Sequence, residues 1–235
     1  KNRITSVKST QKITSAMKMV AASRLKRAQE AAESARPYAE IMGRMMSSVL
    51  EDPGGAIGDN KLLTGTGSND VHLIIIVTSD RGLCGGFNSN VSRETRQQVD
   101  DLIENGKTVK LICIGRKGRD QLKRDFGDNI VDTYEGVGKA GVQYEESQEI
   151  ADKIIKMFDE GEFDVCSIIY NKFISAISQE VTSLQIIPVQ YLNGETNSVQ
   201  PETDGTPAIR SSFEFEPSEA ELLASLLPAN LNVQI

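Results

Sequence analysis

Three cysteines, a single histidine and no aromatic side chain before Tyr38 set the first limits on this 235-residue chain. Cys84, Cys113 and Cys166 stand far apart and form no CxxC pair. With one histidine to assist them and no close ligand spacing, a structural zinc site is not expected, nor is any other metal or cofactor ligand set. Free thiols of this kind suit a reducing compartment. Nucleophilic and metal mechanisms need several convergent groups, and the chain has no GxSxG, HExxH or paired-carboxylate motif. His72 opens an apolar segment alone and reads as structural. The expectation is a protein without catalytic residues.

Long hydrophobic runs are missing too. The longest, residues 72–77 (HLIIIV), is far shorter than the ~20 apolar residues that cross a bilayer. No signal peptide is expected, so any membrane association would be indirect. At 39 % hydrophobic and 25 % charged residues, the composition is that of an ordinary folded protein of one or two domains.

Acidic residues are absent from 1–29, which hold Lys1, Arg3, Lys8, Lys12, Lys18, Arg24, Lys26 and Arg27. The rest of the chain carries 18 basic and 33 acidic residues, against a net charge of −7 overall. A basic segment on an acidic body asks for an anionic partner, although a solvated basic face accounts for the same charge. Nucleic acid is not that partner. Base stacking needs aromatic residues, and the acidic body repels a phosphate backbone.

What is abundant is helical pattern. Taken as heptads, the first fifty residues place Ile4, Val7, Gln11, Thr14, Lys18, Ala21, Leu25, Ala28, Ala32, Ala35, Ala39, Met42, Met46 and Val49 on one seam. Eleven of those fourteen are apolar, the period of a helix packed along a partner helix. Where the seam turns polar, Ile13, Met17 and Val20 carry a second apolar stripe. A helix this long reaches roughly 75 Å, whereas a compact body of the remaining residues is roughly 40 Å across. It must project, with a kink expected near Pro37 and Gly43. No later helix matches its length, so its partner lies in another chain or outside this sequence.

Residues 51–70 are rich in Gly, Asp and Asn and read as a linker. Beyond them, strands over 72–78, 108–115, 129–134 and 164–170 alternate with helices over 88–104, 116–126 and 144–160. Strands hydrophobic throughout, alternating with helices, predict an α/β fold: a Rossmann-like domain with a mostly parallel sheet covered by helices. Two further strands, 177–192 and 209–216, are expected to join antiparallel around a polar loop at 193–207. Ser218 and Glu221 form a capping-box pattern for a helix over 218–227, with Pro228 as its stop. The organisation is thus a shaft helix (1–55), a linker (56–70), the Rossmann-like domain (71–217) and the start of a C-terminal helical region (218–235).

Two glycine-bearing loops invite a nucleotide reading. In the first, Ser79 to Asn88, Asp80, Arg81, Gly82, Cys84, Gly85 and Gly86 follow a strand and precede a helix. The loop fits neither GxxxxGK[ST] nor GxGxxG and reads as a structural turn. The second, Gly136 to Gly141, matches GxGxxG, but the next strand ends at Tyr170-Asn171-Lys172 without the acid that holds a ribose.

Three stretches, TQKITSAMKMVAASRLKRAQ (10–29), SDRGLCGGFN (79–88) and EPSEAELLASLLPANLNVQI (216–235), closely resemble the gamma subunit of the rotary ATP synthase. The similarity runs through the whole chain and is to the bacterial form, without the extra cysteine-bearing insertion of chloroplasts. The family continues past Ile235 into a long C-terminal helix that pairs with the N-terminal one, so the chain is expected to be incomplete. The resemblance implies a rotor, one copy inside a ring of three alpha and three beta subunits. Its foot would stand with the epsilon subunit on the membrane c-ring, at the cytoplasmic face of the bacterial inner membrane. Torque passes through such a shaft, and no catalytic residue, cofactor or metal is implied. Lys12, Lys18, Arg24, Lys26 and Arg27 become candidates for contact with acidic levers of the ring. Ile13, Met17 and Val20 become candidates for an apolar bearing, and the 79–88 turn lies near epsilon or c-ring contacts. An independent coiled-coil adaptor with a Rossmann-like head and a nucleotide-binding enzyme are the alternative readings.

Overall fold

The computed structural model of the chain describes residues 2–50, 60–139, 141, 143–175, 177–189 and 219–235. The expected strand at 209–216, the loop at 193–207, residues 51–59 of the linker and Ser218 of the capping box lie outside them. The chain divides into two compact units, Lys1–Ile41 and Met42–Ile235.

A single helix, α1 (Asn2–Leu50), accounts for the first unit. Good helix formers fill it, and nothing breaks it before Pro37. It also continues through Pro37, which lacks an N–H and so leaves the Glu33 carbonyl without its helical donor. The seam's polar stretch is tolerated because its hydroxyls bond within the helix: Thr14 donates to the Thr10 carbonyl at 3.0 Å, and Thr10 to Ser6 at 3.1 Å. From Asn2 to Ser34 every residue is exposed.

The second unit is built on a five-stranded sheet. In chain order come α2 (Lys61–Thr64), β1 (Val71–Val77), α3 (Phe87–Glu104), β2 (Thr108–Ile114), α4 (Arg116–Phe126) and β3 (Ile130–Tyr134). There follow α5 (Tyr144–Asp159), β4 (Val165–Ser175), β5 (Ser178–Ile187) and α6 (Glu219–Gln234). The sheet order is β3-β2-β1-β4-β5; the first four strands are parallel and β5 runs antiparallel to β4. Side chains alternate along a strand, so a continuously apolar strand needs cover on both faces. In β1, Leu73 and Ile75 face a core with Ile150 and Ile154 of α5, while Ile74 and Ile76 face one with Val91 of α3 and Leu122 of α4. The doubly covered α/β fold expected from the sequence is the one observed.

Two expectations change. Part of the expected 56–70 linker is a helical turn: the Asn60 side chain caps α2 by accepting the Leu62 amide at 3.1 Å, and Leu62 is buried in the α5 core. A polar linker pattern conceals one anchoring leucine. Nor does Pro228 stop the last helix, since α6 runs through it to Gln234. Leu227 and Leu231, on either side of the proline, are fully buried against the α5 face of the sheet. Burying two leucines is worth about 3–6 kcal/mol, enough to offset the ~3 kcal/mol that a proline costs inside a helix.

Candidate functional site

The candidate residues of the shaft sort themselves by helical spacing. Ile13, Met17, Val20, Arg24 and Arg27 succeed one another at steps of four, three, four and three within α1 and therefore share one face. Lys12 and Lys26 lie on another face at sevenfold spacing, with Met19 between them. Lys18 falls in the seam. The eight candidates thus form one apolar-to-basic face, one basic face and one seam residue, all exposed. Met19, missed at first, is as exposed as Met17; as an isolated methionine outside both apolar stripes it gave no periodic signal. Lys26 already pairs with Glu30 at 3.6 Å, a surface ion pair worth at most a few tenths of a kcal/mol, ~0.3–0.5.

The 79–88 turn connects β1 to α3 at the C-terminal edge of the sheet. Asn88, buried at the start of α3, closes its base. Its side-chain oxygen accepts the Ser79 amide at 2.9 Å, and its amide nitrogen donates to the Arg81 carbonyl at 3.0 Å. The same nitrogen lies 3.1 Å from the Cys84 sulfur. Asp80 ties the turn outward: Oδ1 accepts the Arg116 amide at 3.0 Å and Oδ2 accepts the Gly136 amide at 2.8 Å. Chiefly the Arg116 amide, then the Gly136 amide and the Lys139 and Arg116 charges, hold the Asp80 carboxyl below the usual carboxylate range despite its partial burial.

Between these two supports, residues 81–86 are all exposed. Leu83 projects completely, at 108 % relative exposure, from a left-handed backbone with φ +62°. Leucine is rare in that conformation, and a strained, exposed apolar residue is a mark of a contact site. Sequence gave no hint of it, because a lone leucine in a glycine-bearing turn shows no apolar period. Cations stand at the base of the turn: the Arg116 guanidinium meets the Asp80 carbonyl at 3.4 Å, Lys139 lies 4.0 Å from the Asp80 carboxylate, and the Lys117 side chain runs beside Gly82.

In the Gly136–Gly141 loop, amides that a phosphate would need are already committed. Asp80 takes those of Arg116 and Gly136, and Glu146 takes that of Gly138 at 3.0 Å. Carboxylates stand where a phosphate would bring its charge, which argues against the nucleotide reading of that loop. His72 bonds the Asn69 carbonyl at 3.0 Å, and partial burial lowers its pKa.

Comparison with known proteins agrees along the full length. The ATP synthase family matches residues 1–235. The ATP synthase gamma chain of Paramagnetospirillum magneticum is 51 % identical over 99 % of this chain and 77 % of its own length. That of Rhodospirillum rubrum is 50 % identical over 100 % of this chain and 78 % of its own. Among solved structures, a chain in the central stalk and c-ring of the Tetrahymena thermophila mitochondrial ATP synthase is similar, at TM-score 0.64 and 26 % identity. The match covers 94 % of this chain and 88 % of that one. The chain belongs to the ATP synthase gamma chain family.

Proposed function

We propose that α1 is the driven part of a rotor shaft, turned within the catalytic ring of the ATP synthase and carrying no catalytic group of its own. The carrying observation is a 49-residue helix whose first two-thirds are exposed and divided into a seam, a face that runs from apolar to basic, and a basic face. The seam is the face for a partner helix. Ile13, Met17 and Val20 form a bearing that slides against the ring, while Lys12, Arg24, Lys26 and Arg27 meet acidic surfaces of the alpha and beta subunits. Exposed ion pairs are worth only about 0–1 kcal/mol each, so such contacts steer the shaft without locking it. One copy per complex stands with epsilon on the c-ring, at the cytoplasmic side of the bacterial inner membrane.

The tip at Leu83, on a turn whose base carries Arg116, Lys117 and Lys139, we assign to a second contact, with an acidic surface of a neighbouring subunit that offers an apolar socket. The shaft assignment is tested by Met17→Lys, which places a charge in the bearing. Proton pumping driven by ATP should fall relative to hydrolysis in the complete complex. Unchanged pumping would remove Met17 from the bearing.

A further inference from the structure

Asp80 gathers the ends of three neighbouring strands. It follows β1 itself; it accepts the amide of Arg116, just past β2, and that of Gly136, just past β3. The Arg116 guanidinium returns to the carbonyl of Asp80. The Arg116 amide opens α4, so the carboxylate also meets the positive end of that helix. Three residues further on stands Leu83, held in a left-handed conformation that an unconstrained loop would abandon. Asn88 clamps the loop at its other end. A tip built this way has little freedom to bend.

We infer that Asp80 is a positioning residue for torque transfer: it fastens the Leu83 tip to the ends of β1, β2 and β3, so that load at the tip passes into the sheet. The inference rests on the assignment of Leu83 to a subunit contact. Its consequence is specific to load. A loosened tip still turns when nothing resists it, and slips when the proton gradient pushes back.

The experiment uses the complete ATP synthase in sealed vesicles, with the full-length chain carrying Asp80→Asn or Leu83→Ala. Asparagine keeps the shape of Asp80 but loses its charge and one of its two acceptors. Amide hydrogen exchange at Arg116 and Gly136 should then quicken by ~10-fold or more, reporting the broken clamp. Hydrolysis without a gradient should stay within about twofold of wild type, while the limiting proton gradient falls by roughly half. Were Asp80→Asn not to assemble, Asp80→Glu, which keeps the charge but displaces it, carries the same reading with a smaller deficit. A full limiting gradient despite faster exchange overturns the positioning role. Leu83→Ala separates the two levels: if it pumps normally, the tip is no contact, and the inference falls with that assignment. If it pumps poorly while Asp80→Asn pumps normally, the contact stands and only the role of Asp80 is lost.

Discussion

At Gly115 a Cβ would stand 2.7 Å from the carbonyl carbon of Thr78. Gly115 has φ +96° and hands the chain from β2 into α4, directly beside the end of β1. The Thr78 hydroxyl completes the junction by accepting the Gly118 amide at 2.8 Å. Neither crowding nor backbone tolerates a side chain here. Gly115→Ala should destabilise the second unit by about 3 kcal/mol or more, the sum of overpacking and left-handed strain. Urea unfolding followed by far-ultraviolet circular dichroism measures it; a shift under about 1 kcal/mol would show that the junction relaxes more easily than its geometry indicates.

The last helix offers a pair of opposed substitutions. Leu231→Ala removes a fully buried side chain and should cost about 2–5 kcal/mol. Pro228→Ala restores a helical N–H and should stabilise the protein by about 1–3 kcal/mol. Opposite movements of the urea midpoint are the expected outcome, and a destabilising Pro228→Ala would mean that the proline ring itself packs favourably.

The fold was legible where a pattern is repeated and opaque where one residue decides. Leu73-Ile74-Ile75-Ile76 announces a doubly covered strand because alternate side chains must both be buried. Pro228 misled, since a local helix-breaking rule was outweighed by Leu227 and Leu231, whose burial is tertiary. Leu62 was hidden for the same reason inside a glycine-rich stretch. At the candidate site, the shaft faces followed from spacing alone. The roles of Asp80 and Leu83 did not, because they depend on amides 36 and 56 residues away and on one backbone angle.

Acid should destabilise the second unit, and Asp80 and Asp164 are two of the carboxylates that contribute. Asp164 accepts the Thr66 hydroxyl at 2.5 Å and the amides of Asp70 and Val71 at 3.0 Å each. Chiefly the Thr66 hydroxyl, then those amides, hold its carboxyl below the usual range, as the Arg116 and Gly136 amides do for Asp80. A carboxyl with a lower pKa folded than unfolded contributes stability above its unfolded value, and that contribution is lost as pH falls through the folded one. Stability should therefore decline below about pH 4. Asp164→Asn and Asp80→Asn should each flatten that acid limb while lowering stability at neutral pH. Urea midpoints across the range decide the matter, and an unchanged acid limb in both variants would place the titrating groups elsewhere.

The three thiols should separate cleanly. Cys84 is exposed, whereas Cys113 and Cys166 are buried in opposite cores. Burial pushes the Cys113 thiol up to about 12 and the Cys166 thiol further still, so neither supplies thiolate near neutrality. Maleimide labelling followed by intact mass should add one group to the folded chain and three after denaturation. Rapid labelling of a second site without denaturant would contradict the packing of one of the two cores.

The most direct test of the shaft assignment is native mass spectrometry of the full natural chain mixed with its alpha and beta subunits, followed by an ATPase assay of what forms. The account predicts a complex of three alpha, three beta and one copy of this chain, with activity that disappears when the chain is omitted. A chain that stays apart, enters in several copies, or leaves activity unchanged by its absence would contradict it.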